Sequence, residues 1–458
     1  MFRGTSTAPQ ATFPSGPPAA KMAALLLRAR ALHLALLRVS VVLVTLVSPE
    51  PELARGVAKA PSALRFFPDG LRLAASWLPA SPSSVEVSRA VFYSAGGLAL
   101  VGLFTRPALL AFGLAALHLF ALCQLTGEVV HDMHLVWLLA LLAASPAGDA
   151  LSVDAALARR RPSRRRDPAY ELALLFARAL LGVVYFFPGF WKLATSGLAW
   201  ITSDNVRNQM YWKWAQWGGT PPPVRVDLVP GLVEVGAACV VAFELGFFFF
   251  AFAPRARRPL AFGGLVFHQL TEVFFHIRFA SLYACYTCLV ADGGRRGVRG
   301  RWLTCRSAPV VAVGAVLLSA ATVQGARGAT QSYPFACYPT FAHTLGPEMP
   351  DVRLVALSAS GEVGGEVLLP RVARSQSDWG MAWQIAGLWG TPASPDAVAA
   401  FARRDLAALS EDPAVRALRE SGRLHAVRAH LAWQPVEPGR LGDPPRLGSA
   451  LGFVPLAP

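Results

Sequence analysis

Charge is scarce in this chain. Of 458 residues only 16% are charged while 54% are hydrophobic. The mean hydropathy is +0.41. That balance excludes an ordinary soluble domain, in which about a quarter of the residues are charged. Cysteine is scarce as well: six residues without a repeating spacing exclude a disulfide scaffold. Cys285 and Cys288 form a CxxC, but inside an apolar stretch with no second pair, so packing is favoured over metal or redox chemistry. No glycine-rich nucleotide loop, nucleophile elbow or metal-ligand spacing is present. Acidic residues number 28 against 43 Lys and Arg, for a net charge of +15. In a soluble protein that excess would suggest nucleic acid. Here the arginines cluster between hydrophobic stretches, where they act as topology signals and contacts with anionic membrane lipid, so no nucleic-acid partner is expected.

What the chain has in quantity is long apolar runs. A helix needs roughly 20 residues to cross the hydrocarbon core, and the candidates are residues 30–48, 87–105, 107–125, 129–147, 170–193, 229–253, 259–290 and 308–325. The seventh is too long for one pass, and Gly263, Gly264, Glu272, His276 and Arg278 interrupt it, which suggests a tilted hairpin. Arginines at 28 and 30, at 159–161 and 164–166, at 255, 257 and 258, and between 295 and 306 fall on one side if that hairpin goes out and returns. That side is the cytoplasm. The fold class expected is an all-α polytopic helix bundle with about eight to nine crossings and a small C-terminal extracytoplasmic α+β domain. The expected location is the inner membrane of a cell, with the N-terminus cytoplasmic. The boundaries are residues 1–21 as a disordered tail, 22–326 as the membrane domain and 327–458 as the outer domain. The tail has no periodicity, and the run after it contains His33 and Arg38 with no small-residue cleavage site, unlike a signal peptide.

Three ionisable residues stand out inside the apolar runs. Lys192 ends Tyr185-Phe-Phe-Pro188-Gly189-Phe-Trp191-Lys192, and the crossing directions put His134 and His268 in the same outer leaflet. Such residues are costly unless paired or hydrated, which makes them candidates for function. Each has a plainer reading: Lys192 snorkelling from a helix end, and the histidines hydrogen-bonding between helices. Glu234 shares that leaflet; it and Glu244 fit a proton relay or pairing with Arg178 equally well. Glu272 and His276, four apart on one helix face, suit a pair at the hairpin turn better than a metal site. Trp200, Tyr211, Trp212, Trp214 and Trp217 read as an interfacial belt, or as a lid.

Beyond residue 328 the pattern changes. Val352, Leu354 and Ala356 alternate as in a strand, Val363, Val367 and Leu369 continue that pattern, and Val427, Ala429, Leu431 and Trp433 form a further strand. Ser394-Pro395 opens a helix running through Leu409.

The order of His134-Leu-Val-Trp-Leu-Leu, Gly148-Asp-Ala-Leu-Ser152-Val153-Asp154 with its arginine run, the Tyr185 to Leu193 segment, Trp200 and Phe267-His268 resembles the vitamin K-dependent γ-carboxylase family, whose membrane part is the HTTM domain. The resemblance spans roughly residues 22–325 and is weaker beyond. It implies a reaction in which a membrane lysine takes a proton from vitamin K hydroquinone or another reduced quinone. Oxygen then yields an alkoxide that removes the γ-proton of a glutamate, and the carbanion captures carbon dioxide. By this resemblance Lys192 is the base, with His134 and His268 as neighbours, and Tyr185, Phe187, Trp191 and Trp200 contact the quinone. An extracytoplasmic protein or peptide would be the substrate. A lysine is protonated at neutral pH unless desolvation disfavours its charge, and Phe186, Phe187, Phe190 and Trp191 are expected to form the desolvating wall. The family's Tyr-Ser-Trp-Asp stretch for holding glutamate corresponds here to Tyr333-Pro-Phe-Ala-Cys-Tyr338, without tryptophan or acid, and the asparagine before the first histidine is replaced by Asp132-Met133. Two further classes stay open beside a quinone-linked carboxylase: a quinone- or lipid-binding membrane protein without carboxylation, and a transporter or scaffold.

Overall fold

The computed structural model of the chain describes residues 17–67, 69–72, 78–126, 131–158, 167–290, 304–328, 333–335, 341–358, 366–388 and 393–456. The helices of the first part are α1 (Pro17–Leu46), α2 (Glu50–Lys59), α3 (Asp69–Arg72), α4 (Pro82–Val101), α5 (Thr105–Gln124), α6 (Met133–Ala144) and α7 (Val153–Leu157). After them come α8 (Pro168–Ser196), α9 (Ala199–Thr202), α10 (Asn205–Gln216), α11 (Leu232–Phe250), α12 (Arg257–Phe275), α13 (Ala280–Cys285), α14 (Thr287–Val290) and α15 (Ala308–Arg327). The C-terminal part contains β1 (Glu348–Leu357), β2 (Val367–Leu368), α16 (Gln376–Ile385), α17 (Pro395–Ala408), α18 (Pro413–Glu420), β3 (Ala426–Pro435) and β4 (Arg446–Pro455).

Among the described residues five helices are long and apolar enough to cross a membrane: Arg30–Lys59, α5, α8, α11 and α15. This count is lower than the eight to nine expected. Residues 129–147 yield only the 12 residues of α6, which rise about 18 Å against a hydrocarbon core of about 30 Å. The run at 259–290 is a hairpin: α12 ends at His276, whose φ is 53°, and α13 and α14 return along it. Glu272 and Arg278 clasp the turn at 2.6 Å. Tyr286 comes back beside Gly264 and His268. Helix α1 begins at Pro17, before the boundary expected at residue 22; residues 1–16 lie outside the described residues.

The helix ends follow from local chemistry. Asp167 caps α8 by accepting the Ala169 N–H, with Pro168 in the first turn. Ser81 does the same for α4, which stops at Gly102, whose φ of 72° no β-carbon hinders. Buried cations find carbonyl partners: Arg38 Nη1 donates to Ala147 O at 2.9 Å and Arg178 Nε to Cys288 O at 3.1 Å. Apolar side chains left exposed on α5, α11, α12 and α15, among them Leu114, Val235, Phe262 and Val316, suit a lipid solvent.

The C-terminal part is a four-stranded antiparallel sheet in the order β2-β1-β3-β4. The expected strands at 352–356 and 427–433 are there, as is the helix capped by Ser394. Residue 363 lies outside the described residues, and β2 is only two residues long. Helix α17 covers one face of the sheet, where Phe401, Val352, Val427 and Val454 form a core that also takes in Leu64 from the turn after α2. The helical part thus supplies a core residue to the C-terminal sheet.

Candidate functional site

The site is built on one stripe of α8. At 3.6 residues per turn, Tyr185, Pro188 and Lys192 stand on one face, and all three border the same cavity between α8, α11 and α12. Phe187 and Trp191, four residues apart, stand on another face and pack on α15: Trp191 Nε1 donates to Gly325 O at 2.7 Å, and Phe187 lies against Gly325. The expected contribution of Phe187 and Trp191 to a quinone pocket, and of both to a wall around Lys192, is therefore corrected. Adjacent positions in a helix point about 100° apart, so sequence neighbours of Lys192 are not its spatial neighbours. The aromatic wall is supplied instead by Phe243, Phe267, Phe274, Phe275 and Phe279 from α11, α12 and the hairpin turn.

Lys192 is buried, and its Nζ donates to both oxygens of Glu244 on α11, at 2.6 and 2.7 Å. Glu244 thus pairs with Lys192, and Arg178 goes to a backbone carbonyl. Gly189 makes the pair possible. A β-carbon there would stand 2.8 Å from Glu244 Cβ and 3.2 Å from Leu245 N, closer than the two helices could allow. Nζ also lies 5.2 Å from the ring centre of Trp200, a cation–π contact.

Both histidines reach the same cavity. His134 Nδ1 is 3.0 Å from the His131 carbonyl oxygen; a carbonyl only accepts, so Nδ1 carries the proton and Nε2 offers a lone pair. His268 Nε2 lies 2.5 Å from the Tyr185 hydroxyl, which also meets the hydroxyl of Tyr286. Among the described residues His134 Nε2 and His268 Nδ1 are buried without a hydrogen-bond partner. Buried polar atoms are normally satisfied, so two orphans at one cavity are what a bound polar ligand would complete.

The cavity measures about 580 Å³ and its lining is almost wholly apolar, a size and character usual for small-molecule sites. Trp200, Val206, Gln209, Met210 and Phe341 close one end. Toward the lipid face, Leu232, Gly236 and Cys239 of α11 and Val266 and Leu270 of α12 border it while exposed, so it opens sideways between these two helices. The aromatic group expected as a belt or lid divides. Trp200, Tyr211 and Trp214 are buried, with Trp200 at the cavity, and Trp217 is half exposed. Trp214 Nε1 donates to Phe274 O at 2.8 Å and Trp212 Nε1 to Gly346 O at 2.9 Å.

The structure brings together Lys192, His134, His268, Tyr185 and Trp200 and leaves Phe187 and Trp191 outside. Glu234 lies 3.6 Å from Arg207. Cys285 and Cys288 are free and buried. Of the stretch compared with the family's glutamate-holding segment, residues 336–340 lie outside the described residues; Tyr333 donates to Leu117 O at 2.6 Å and Phe335 stacks on Trp137. Sequence reasoning missed His131, Gln209 and Phe341. His131 is an ionisable group in a polar turn, which masks it, and the other two reach the cavity only through the path of the chain. Just outside the spanning helices, burial pushes the Lys213 amine of α10 down to about 8. Its Nζ donates to Gln216 Oε1 at 2.9 Å and lies 5.7 Å from the ring of Phe341.

A multi-pass helical membrane protein with a buried, partly charged cavity opening toward lipid is the class these features define. Within that class, residues 76–291 match the HTTM domain, so the chain carries an HTTM domain, the domain found in vitamin K-dependent gamma-carboxylase-like proteins. The match takes in a little under half of the chain and includes every predicted site residue. No curated protein and no solved structure matches the chain.

Proposed function

We propose that this chain is a membrane enzyme of the γ-carboxylase type that binds a reduced quinone in the α8–α11–α12 cavity and modifies an extracytoplasmic protein or peptide. The observation that carries the reading is the meeting of the Lys192–Glu244 pair with His134 Nε2 and His268 Nδ1 at one apolar cavity inside the HTTM domain. Vitamin K hydroquinone or another reduced quinone fits that lining: a flat apolar ring between Phe243, Phe267 and Phe279, with a hydroxyl at each end for the pair and for the histidine lone pair. When bound it supplies the reducing and proton-donating chemistry. Tyr185 and Tyr286 orient His268, Trp200 covers Lys192, and the aromatic wall excludes water.

The lateral opening supports entry from the bilayer, with lipid as the first partner. On the other side, Phe341–Gly346 leads into the sheet domain and is fastened over the cavity end. Trp200 Nε1 donates to Phe341 O at 2.7 Å, Ser196 Oγ to Ala342 O at 2.7 Å and Asn208 Nδ2 to Leu345 O at 2.8 Å. A substrate held by the sheet domain would approach the pair from there. The arginine clusters support a cytoplasmic N-terminus and an extracytoplasmic sheet domain in an inner membrane. A second reading, quinone binding without carboxylation, is favoured by the bidentate grip of Glu244, which holds the Lys192 proton. The two readings separate by turnover. Purified protein given a reduced naphthoquinone, oxygen, labelled bicarbonate and glutamyl peptides is expected to fix label, and Lys192→Ala is expected not to. Quinol binding without label in the wild type would leave the second reading.

A further inference from the structure

In the observed geometry Lys192 is a poor proton acceptor. An ammonium has three N–H donors and no lone pair, and two of these donors are directed at the Glu244 oxygens, 2.6 and 2.7 Å away. Losing that proton would strand a buried carboxylate, because Lys192 is its ion-pair partner among the described residues. The lone pairs still free at the pair belong to the carboxylate. A carboxylate has about four acceptor directions, Lys192 takes two, and both residues border the cavity. The packing supports a placed carboxylate. Gly189 lacks a β-carbon just where Glu244 Cβ and Oε2 come against α8, 2.8 and 3.3 Å from where one would stand.

Resting on the reduced-quinone reading above, we propose that Glu244 is the proton-accepting group of the site and that Lys192, kept as an ammonium, stabilises the anion left behind. The quinol O–H bond breaks and an O–H bond forms at a Glu244 oxygen, while Lys192 retains its three N–H bonds. The pair passes from net zero to one positive charge beside one negative charge, so the total is unchanged, and no electron moves. Lys192 is then needed for its charge and its reach, and a guanidinium, which does not lose its proton in proteins, could replace it. A further unpaired lone pair bordering the cavity is that of His134 Nε2.

The experiment reads proton transfer on binding, without turnover. A reduced naphthoquinone is added anaerobically to the full-length protein in detergent near neutral pH, and the absorbance of its anion is recorded. The anion is expected in the wild type and in Lys192→Arg, and is expected to be lost in Lys192→Arg/Glu244→Gln. Loss in Lys192→Arg with quinol still bound would return the acceptor role to the lysine amine and overturn the inference. Persistence in the double variant would move that role elsewhere, to His134 first, and also overturn it. Infrared difference spectra of the wild type need no variant to fold. A new carbonyl stretch of a protonated carboxyl on quinol binding, absent in Glu244→Gln, is expected, and an anion formed without it contradicts the assignment. Quinol that does not bind the wild type at all overturns the reduced-quinone reading itself, an outcome distinct from binding with the wrong acceptor.

Discussion

At the scale of single residues the site depends on one buried ion pair and one missing methyl group. Removing Lys192 alone leaves Glu244 buried and unpaired, a change that costs about 3–5 kcal/mol when a buried pair is broken. Lys192→Ala is therefore expected to lower the unfolding temperature in detergent, and Lys192→Met/Glu244→Gln to recover part of the loss. Gly189→Ala forces a β-carbon against Glu244 Cβ and the Leu245 amide, an overpacking expected to cost about 1–3 kcal/mol. Gly97→Ala in α4 meets nothing within 4 Å and is expected to be neutral or to stabilise by up to about 1 kcal/mol. The same thermal scan compares the two glycines, and equal effects would contradict the close approach of α8 and α11.

Lys213 adds a pH dependence. Its folded-state value of about 8 lies below the unfolded value of about 10.4, so between these two the unfolded chain binds more protons. Stability should then rise with pH across that window, with the full penalty present below pH 8. Unfolding temperature against pH, with Lys213→Met alongside, checks this; the variant is expected to flatten the rise.

Lys192, His134 and His268 were legible because an ionisable residue in an apolar run is conspicuous. Their convergence on one cavity is a packing result that spacing alone suggested only through a shared leaflet. Glu244 was visible as a charge, but its partner was not, since Arg178 and Lys192 lie on nearly the same face of α8, about 21 Å apart along it, and only the level at which α11 packs against α8 decides between them.

At the scale of elements, the membrane helices followed the apolar runs, and their count did not. A run of apolar residues reports hydrophobicity, whereas crossing also needs unbroken helix, and the segment from 129 to 147 includes a polar turn at His131 and Asp132 before α6 begins. The hairpin within 259–290 was legible from Glu272, His276 and Arg278, whose polarity marks the turn. In the sheet domain α16 and β4 went unread. The Trp-rich segment of α16 gives a weak helical pattern, although Ser375 and Asp378 form a capping box at its start. The mostly exposed β4 carries little alternation.

What joins these elements is Arg374. Its guanidinium donates to Asp405 of α17 at 2.8 Å, to Asp351 of β1 at 3.1 Å and to Val352 O at 3.0 Å. Burial pushes the Asp405 carboxyl up despite Arg374 beside it. Arg374→Met strands the buried Asp405, leaving Asp351 with Arg371 at 3.5 Å, and is expected to destabilise the sheet domain by about 3–5 kcal/mol, read as earlier loss of its β signal in circular dichroism; an unchanged transition would refute the clamp.

At the scale of the whole molecule, the helical part and the C-terminal sheet are joined by shared packing and hydrogen bonds. Leu64 from the turn after α2 is buried in the sheet-domain core, and Phe341–Gly346 is fastened to α8, α9 and α10. The cavity lies below that fastening and opens to lipid past Gly236. A Gly236→Trp side chain would enter the opening, where a β-carbon at present meets nothing within 4 Å. It is expected to slow binding of a long-tailed quinol delivered in bilayers, as followed by stopped-flow fluorescence, with little change in overall stability.

The central claim is that a reduced quinone occupies this cavity. The most direct measurement is equilibrium binding of a reduced naphthoquinone to the purified protein under anaerobic conditions, read by quenching of Trp200 fluorescence against a Trp200→Phe control, with His134→Phe and Lys192→Ala compared. The account predicts saturable one-to-one binding that weakens in both of the latter variants and a signal that disappears with Trp200. No saturable binding to the wild type, or binding indifferent to His134 and Lys192, would contradict it.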